Sequence, residues 1–248
     1  MPGVGAEVEA LLFDVLGTVV DWRSSVAREL EARFAPRGAA RDWARVADDW
    51  RALYQPAMEA VRSGRRAFVV LDALHAENLE RVLADHDLEA PDAAGLDRLV
   101  RAWHRLDPWP DSVEGLAALR RERPVATLSN GNVALLVALA RHAGLEWDAI
   151  LGAELARNYK PVPDVYLRSA EALGLAPERC LMVAAHNDDL RAARALGFRT
   201  AFVARPTEHG PEQTTDLAAE EGWDLVVDSL VELARRLGPL GDGSRPAR

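Results

Sequence analysis

The chain has 248 residues, a net charge of −9 at pH 7, and hydrophobic and charged fractions of 49% and 28%. This composition is that of an ordinary soluble globule, and the negative charge argues against a nucleic-acid partner. No apolar run approaches the roughly 20 residues that cross a bilayer, so we expect no membrane partner. With one cysteine, Cys180, and no basic or apolar leader in residues 1–7, we expect a cytoplasmic enzyme without disulfides.

The first predicted strand is an apolar run that begins at Leu11 and stops at Asp14. Such a run is typical of a strand buried in a parallel sheet, and Asp14 then lies at the carboxyl end, where open α/β sheets bind ligands. A carboxylate there can be a metal ligand, a general base or a nucleophile, or simply a solvated turn residue. Gly17 allows a sharp turn, and Thr18 can hydrogen-bond Asp14.

Residues 22–106 carry helical periodicity and no strand signal. The predicted helices are Val26–Phe34, Asp42–Arg62, Ala67–Ala84 and Asp92–Trp103. Pro56 is expected to bend or split the second of them, and Asp92 to cap the fourth. A stiff connector with two prolines, Asp107–Asp111, closes this segment.

From Ser112 onward strands alternate with helices, which predicts a doubly wound parallel sheet. The predicted strands are Pro124–Leu128, Ala149–Gly152, Cys180–Ala185, Thr200–Ala204 and Leu225–Val227. The predicted helices are Ser112–Arg121, Val133–His142, Asp164–Leu173, Asp188–Leu196 and Leu230–Leu237. We therefore predict an α/β core of residues 1–21 and 107–237, a helical insertion of residues 22–106 placed as a lid, and a disordered tail of residues 238–248.

Polar residues follow the apolar strands at four places, and such clusters mark ligand sites in parallel sheets. The clusters are Asp14 and Thr18, Ser129 and Asn130, the loop that contains Lys160, and His186–Asp189. Each cluster alone has an ordinary alternative: Ser129 and Asn130 can form a turn, and Asp188 or Asp189 can cap a helix. Together, their order along the chain favours one shared site.

Lys160 is the single lysine among 30 Lys and Arg residues. One interpretation is chance, since a single lysine must lie somewhere. The other is a tight site that needs a compact cation with a tunable pKa, which arginine cannot supply. The position of Lys160 among the polar clusters favours the second.

Four segments resemble the motifs of the haloacid dehalogenase superfamily. They are Phe13–Thr18, Leu128–Gly131, Tyr159–Pro161 and Val183–Asp189. Within the superfamily the chain is most similar to the type II 2-haloacid dehalogenases, because Asn130 stands in Ser-Asn-Gly and the segment from Lys160 to Tyr166 has their spacing. The resemblance covers nearly the whole chain and implies a Rossmann-like α/β core with an inserted α-helical cap.

Two positions depart from the phosphatases of that superfamily. Leu16 stands where they carry an aspartate as general acid, and Ala185 stands where they carry an aspartate that holds Mg²⁺. A carbon–halogen bond breaks to halide without a proton, and a singly charged haloacid does not require Mg²⁺ to neutralise it. The resemblance therefore implies a site without metal or cofactor.

The implied reaction is hydrolytic dehalogenation of a 2-haloalkanoic acid to a 2-hydroxy acid through an aspartyl ester. The resemblance implies a catalytic set of Asp14 as nucleophile, Lys160, Asp189, Ser129 and Thr18. It implies substrate contacts from Leu16, Arg51, Asn130, Tyr166, His186 and Asn187, with Arg51 and Asn130 at the halide. Water activated near Asp189 would then hydrolyse the ester.

Several alternatives stay open at this point. The chain could be a phosphatase with a degenerate site, or a binding protein that kept the fold without turnover. His186 departs from the asparagine of well-known members, and could replace it as a hydrogen-bonding group, narrow the pocket, serve as a base or simply pack. A homodimer through the Trp-rich cap is also compatible with the sequence.

Overall fold

The computed structural model describes residues 7–38 and 40–239, and a six-stranded sheet lies at its centre. In chain order the strands are β1 (Ala10–Phe13), β2 (Val20–Asp21), β3 (Asp107–Pro108), β4 (Val125–Ser129), β5 (Ala149–Gly152), β6 (Cys180–Ala184), β7 (Arg199–Val203) and β8 (Leu225–Val227). The large sheet has the order β5-β4-β1-β6-β7-β8, and every neighbouring pair is parallel. The predicted parallel sheet is confirmed.

The described residues form eleven α-helices. They are α1 (Trp22–Phe34), α2 (Trp43–Ala52), α3 (Tyr54–Arg62), α4 (Leu71–Asp85), α5 (Ala93–Val100), α6 (Ser112–Arg120), α7 (Val133–Ala143), α8 (Ala153–Ala156), α9 (Pro163–Ala172), α10 (Asn187–Ala195) and α11 (Leu230–Leu237). Helices α9 and α10 bury side chains in the cluster that holds Leu12, while α6, α7 and α11 bury theirs in the cluster that holds Leu11 and Phe13. The doubly wound architecture follows from this division.

Strand β1 is the centre of the fold. None of its four residues is exposed, because β4 and β6 pair with its two edges and helices cover its two faces. Successive side chains of a strand point to opposite faces, so Leu12 packs on one side, and Leu11 and Phe13 on the other. Burying each such side chain contributes about 1.5–3 kcal/mol.

The chain order explains where a site can form. From β1 the sheet grows through β4 to β5 on one side, and then through β6, β7 and β8 on the other. The strand order therefore reverses next to β1, and open α/β sheets bind ligands at the carboxyl ends of strands at such a reversal. Here those are the ends of β1, β4 and β6.

In its described part, the segment between β2 and β3 consists of helices joined by loops and contains no strand. The two short strands pair antiparallel, with Asp21 opposite Asp107, so the chain enters and leaves the segment at one place. The expected cap at Asp92 is confirmed, since its side chain accepts a 2.8 Å hydrogen bond from the Gly95 N–H. The division of the chain into core and cap stays a prediction.

Several helix boundaries in this segment differ from the sequence prediction. The first helix begins at Trp22 rather than Val26, and the fourth ends at Val100, before a short 3-10 helix. The predicted helix Asp42–Arg62 is two helices, separated at Leu53. Pro56 has no N–H for the carbonyl of Ala52, and a proline ring crowds the carbonyl four residues before it, which ends α2 there. The next helix begins at Leu71 rather than Ala67, because the preceding residues are extended and the Val69 carbonyl accepts a hydrogen bond from the Tyr159 hydroxyl.

The predicted disordered tail lies mostly outside the described residues, which end at residue 239. The expectation that residues 1–7 form no leader peptide likewise lies outside the described residues, apart from Glu7. Within the described ranges, no helix is both long and apolar enough to cross a membrane.

Candidate active site

The carboxyl ends of β1, β4 and β6 open into a cavity of about 1040 Å³. Helix α2 contributes to its lining from the opposite side. The predicted site residues that line it are Asp14, Leu16, Arg51, Asn130, Lys160, Tyr166, His186 and Asp189. Eight of the eleven predicted residues, from distant parts of the sequence, thus meet at one place.

Asp14 is held through both of its carboxyl oxygens. Its Oδ1 accepts from Lys160 Nζ at 2.9 Å, and its Oδ2 accepts from the Thr18 hydroxyl at 2.8 Å. The Thr18 oxygen itself accepts from the Ala185 N–H at 2.9 Å, so its single proton is free to point at Asp14. Thr18 is fully buried and lies behind Asp14, where it fixes the carboxylate and does not line the cavity.

Lys160 joins two carboxylates, since its ammonium contacts Asp189 as well as Asp14. The other oxygen of Asp189 accepts from the Tyr166 hydroxyl at 2.6 Å. Burial alone would lower the pKa of Lys160, but the charges of Asp14 and Asp189 outweigh it and hold the pKa above its ordinary value. Lys160 is therefore a permanent cation in this site.

The same contacts keep Asp14 ionised. Burial would raise its pKa, but the charge of Lys160 and the hydrogen bond from His186 outweigh that effect and hold the pKa well below its ordinary value. Asp14 is only 6% exposed, so it is a carboxylate with little hydration at the floor of a cavity. Such a group can act as a nucleophile.

Arg51 and Asn130 line the cavity near this carboxylate. The Asn130 side-chain oxygen accepts from the Lys160 N–H at 2.8 Å and so positions the loop that carries the lysine. The Arg51 guanidinium lies over the Tyr54 ring, 3.9 Å from its centre. Within the described part of the chain, its buried Nε finds no hydrogen-bond partner. A half-buried cation with an unfilled buried donor is suited to binding an anion.

Glu208 is a member of this site that the sequence analysis missed. Its carboxylate is 1% exposed and contacts His186 Nε2 at 2.9 Å, while His186 Nδ1 lies 3.2 Å from Asp14 Oδ2. Glu208 follows β7 by five residues, so the rule that found the other clusters, polar residues after an apolar strand, also applied to it. Glu208 lies outside the four motif segments.

Gly17 makes room for Glu208. A Cβ at Gly17 would lie 2.0 Å from a Glu208 carboxyl oxygen, and the glycine has a φ of +93°, which favours glycine. The close approach that Gly17 permits is therefore to a side chain of the protein itself. Trp22 Nε1 donates to the same carboxylate at 2.9 Å.

Two predicted site residues lie away from the cavity. Ser129 is predicted to belong to the catalytic set, but its buried hydroxyl accepts from the Gly131 N–H at 3.1 Å and is not part of the lining. Asn187 is predicted to contact substrate, but as the first residue of α10 it turns toward a following loop. There it bonds Asp216 and accepts from the N–H of Glu220 and the indole of Trp223. Neither placement supports substrate contact.

Among residues 7–38 and 40–239, no group of three or more His, Cys, Asp and Glu side chains is arranged to hold a metal ion. Between Asp14 and Asp189 the compensating charge is the Lys160 ammonium. Leu16 and Ala185 occupy the two positions at which the sequence departs from the phosphatase pattern. Both residues are apolar and buried. Their side chains offer no oxygen ligand.

A family model described as haloacid dehalogenase-like hydrolase matches residues 8–197. The chain belongs to this family of hydrolases, and the resemblance read from its four motifs is confirmed.

Within the family, the chain is 33% identical to an (S)-2-haloacid dehalogenase of Xanthobacter autotrophicus, over 80% of this chain and 76% of the relative. The crystal structure of a defluorinating L-2-haloacid dehalogenase is 49% identical, with a TM-score of 0.91 over 93% of this chain and 95% of that one. An L-2-haloacid dehalogenase of Xanthobacter autotrophicus with chloropropionic acid covalently bound is 29% identical, with a TM-score of 0.77 over 92% and 97%.

The lone lysine gives the first test. If Lys160 were one cation among many, Lys160→Arg would be nearly neutral. Because the ammonium fits between two buried carboxylates, we expect the larger, planar guanidinium to displace Asp14 and to lower kcat on a 2-haloacid at least ~100-fold. Lys160→Ala should be worse, since Asp14 loses its counter-charge. A Lys160→Arg enzyme with near wild-type kcat and unchanged melting temperature would contradict this role.

The placement of Asn187 gives a second test. Asn187→Ala removes partners from several buried polar groups, and we expect it to lower the free energy of unfolding by about 2–3 kcal/mol. Below the melting transition, its KM for substrate should stay near the wild-type value. The comparison variant is Asn130→Ala, because Asn130 lines the cavity. It should change kcat and KM more than it changes the free energy of unfolding. A large rise in KM for a stable Asn187→Ala enzyme would return Asn187 to the substrate site.

Proposed function

We propose that this protein is a hydrolytic 2-haloacid dehalogenase that acts on the (S)-enantiomer and forms an aspartyl ester on Asp14. The observation that carries the proposal is the Asp14 carboxylate, ionised by Lys160 and fixed through both oxygens at the floor of a cavity. The relatives named for this activity, one of them with chloropropionic acid covalently bound, agree with it.

The first step is an in-line displacement. A carboxylate oxygen of Asp14 attacks the α-carbon, the new carbon–oxygen bond inverts that carbon, and the carbon–halogen bond breaks with its electron pair leaving on the halide. Arg51 and Asn130 are assigned to the departing halide, because both line the cavity and Arg51 has an unfilled buried donor. Leu16 supplies an apolar wall, since halide departure requires no acid.

The second step is hydrolysis of the ester. Water attacks the carboxyl carbon of Asp14 and the ester bond breaks. The departing 2-hydroxy acid takes one proton of the water, and the other is released to solvent, which leaves Asp14 as a carboxylate again. Asp189, held by Lys160 and Tyr166, is assigned to receive the proton of this water and return it to the departing alkoxide. This assignment uses the second carboxylate of the lysine bridge as the general base.

A phosphatase is the main competing function, and the site residues argue against it. Phosphoryl transfer to an aspartate requires protonation of an alkoxide leaving group and compensation of phosphate charge. Leu16 and Ala185 remove the carboxylates that would do both. A binding protein without turnover is disfavoured, because burying the charges of Asp14 and Lys160 costs free energy. A nucleophilic site requires these charges, whereas simple binding does not.

The wider setting of this activity is also proposed. Residues 22–106 would act as a cap that supplies Arg51 from α2 and excludes water from the reacting carboxylate. The homodimer through the cap helices and the cytoplasmic location stay predictions.

The function is tested by halide release from (S)-2-chloropropionate, with the (R)-enantiomer and p-nitrophenyl phosphate plus Mg²⁺ as comparison substrates. Asp14→Asn should lower kcat by ~10⁴-fold or more, as removal of a nucleophile commonly does, while the fold persists. Mass spectrometry must exclude deamidation of the introduced asparagine back to aspartate. Phosphate release without halide release would overturn the proposal.

Metal dependence is a separate test. We expect EDTA to leave halide release unchanged and added Mg²⁺ to have no effect, because Lys160 already compensates the charge of Asp14. The matched control is a Mg²⁺-dependent phosphatase of the same superfamily treated with the same chelator. Loss of activity on chelation that Mg²⁺ restores would contradict the metal-independent mechanism.

A further inference from the structure

His186 lies between two carboxylates and touches one with each ring nitrogen. Nδ1 lies 3.2 Å from Asp14 Oδ2, and Nε2 lies 2.9 Å from Glu208 Oε2. A neutral imidazole has one donor and one acceptor, so one of these contacts would then place a lone pair against a carboxylate. Both contacts are favourable only when both nitrogens carry protons. The geometry therefore describes an imidazolium.

The surrounding charges agree with a cationic His186. The groups that face it or its partners are Asp14 from β1, Lys160 on Asp14, Asp189 on Lys160, Glu208 after β7, Arg51 from α2 and His209, 3.6 Å from Glu208. Three carboxylates stand against the two cations Lys160 and Arg51. Burial lowers the pKa of His209, so that ring stays neutral. A charged His186 balances the cluster.

Directions of pKa change support the same state. Burial alone would lower the pKa of His186, but Glu208 and Asp14 raise it well above its ordinary value. Burial alone would raise the pKa of Glu208, but His186 lowers it. The Glu208 carboxylate is further held by the indole of Trp22 and packs against Gly17, so it is fixed behind the ring.

The donors are distributed unequally over Asp14. Its Oδ2 accepts from the Thr18 hydroxyl and lies 3.2 Å from His186 Nδ1, whereas among the described residues Lys160 is the one side-chain donor to its Oδ1. The oxygen with fewer donors keeps more of its charge and lone-pair density, so Oδ1 is the better nucleophile. Oδ2 then becomes the carbonyl oxygen of the ester, with the Thr18 hydroxyl bonded to it and His186 Nδ1 3.2 Å away.

We propose that His186 and Thr18 form the oxyanion hole for hydrolysis of the Asp14 ester, and that Glu208 is a positioning residue that keeps His186 protonated for this purpose. The inference rests on the proposed dehalogenase function. Water attacks the carboxyl carbon and the carbonyl electron pair moves to Oδ2, where His186 Nδ1–H and the Thr18 hydroxyl stabilise the negative charge. When the carbonyl reforms, the bond to Oδ1 breaks, and Oδ1 leaves in the 2-hydroxy acid with the proton that water gave to Asp189.

This role uses the charge of His186. A hydrogen bond from a cation to an oxyanion is roughly twice as strong as one between neutral groups. The asparagine that stands at this position in well-known members of the family can donate only as a neutral amide, whatever lies behind it. The role proposed for Glu208 therefore requires a histidine at this position.

The decisive variant is Glu208→Gln, which keeps the shape and removes the charge. Loss of a donor to an oxyanion typically costs about 10²–10³-fold. We therefore expect ester hydrolysis to slow about 100-fold, halide release in the first turnover to change far less, and the ester on the Asp14 peptide to accumulate in quenched samples analysed by mass spectrometry. The basic limb of the kcat–pH profile should move to lower pH. Glu212→Gln, an exposed position in the same loop, is the matched control and should behave as wild type.

A double-mutant comparison separates positioning from general support of the fold. His186→Asn should lose the sensitivity to residue 208, so that adding Glu208→Gln changes the hydrolysis rate little further. If Glu208 only supported the fold, Glu208→Gln would slow both halide release and ester hydrolysis, in the wild-type and in the His186→Asn protein. The basic limb of the kcat–pH profile would then stay in place. A Glu208→Gln enzyme with no ester accumulation and an unmoved limb would overturn the proposal.

The protonation state can be measured without turnover, by the ¹⁵N resonances of the His186 ring in the wild-type protein. We expect a doubly protonated ring at pH 7, because Glu208 and Asp14 raise the pKa of His186 well above its ordinary value. A neutral ring at pH 7 would overturn the inference even if halide release is normal or if Glu208→Gln fails to fold. Conversely, a protonated ring in a protein that releases no halide would count against the dehalogenase function alone.

Discussion

The contact between Lys160 and its two carboxylates is the interaction on which this site depends. Lys160 and Asp14 are each less than 10% exposed, so neither charge is compensated by bulk water. Removing one partner of such a buried pair leaves an uncompensated charge, which typically costs about 3–5 kcal/mol. The fold must therefore bring the Lys160 loop, β1 and the first turn of α10 to one place at once.

This requirement explains the order of the sheet. Asp14 follows β1, Asp189 lies just beyond β6, and β1 and β6 are neighbours in register, with Phe13 opposite Val183. On the other edge of β1, strand β4 leads to Asn130, whose side chain holds the Lys160 N–H. The lysine is thus positioned by both neighbours of the strand that carries its main partner.

Much of this could be predicted from the sequence, because each part has a local signature. Apolar runs that end in polar residues placed Asp14, Asn130 and Asp189 at one sheet edge, and the singularity of Lys160 marked it as a residue that arginine does not replace. The directions of Ser129 and Asn187 could not be predicted in the same way. Ser129 ends β4 and Asn187 follows β6, as the rule requires, but the direction of each side chain depends on loop contacts that spacing does not encode.

Glu208 shows a further reason why part of the site was missed. No motif contains it, and its role depends on Gly17, Trp22 and His186, which meet it only in the folded chain. Those contacts place a second cation on the far side of the Asp14 carboxylate from Lys160. The Asp14 carboxylate acts first as a nucleophile and then, as an ester, as an electrophile, so it benefits when different groups contact its two oxygens. Lys160 holds Oδ1 for attack, and His186 can stabilise the negative charge that develops on Oδ2. The His186–Glu208 ion pair fits a reaction that uses one carboxylate in two steps. Lys160, which contacts only the first oxygen, would not stabilise charge on the second as directly.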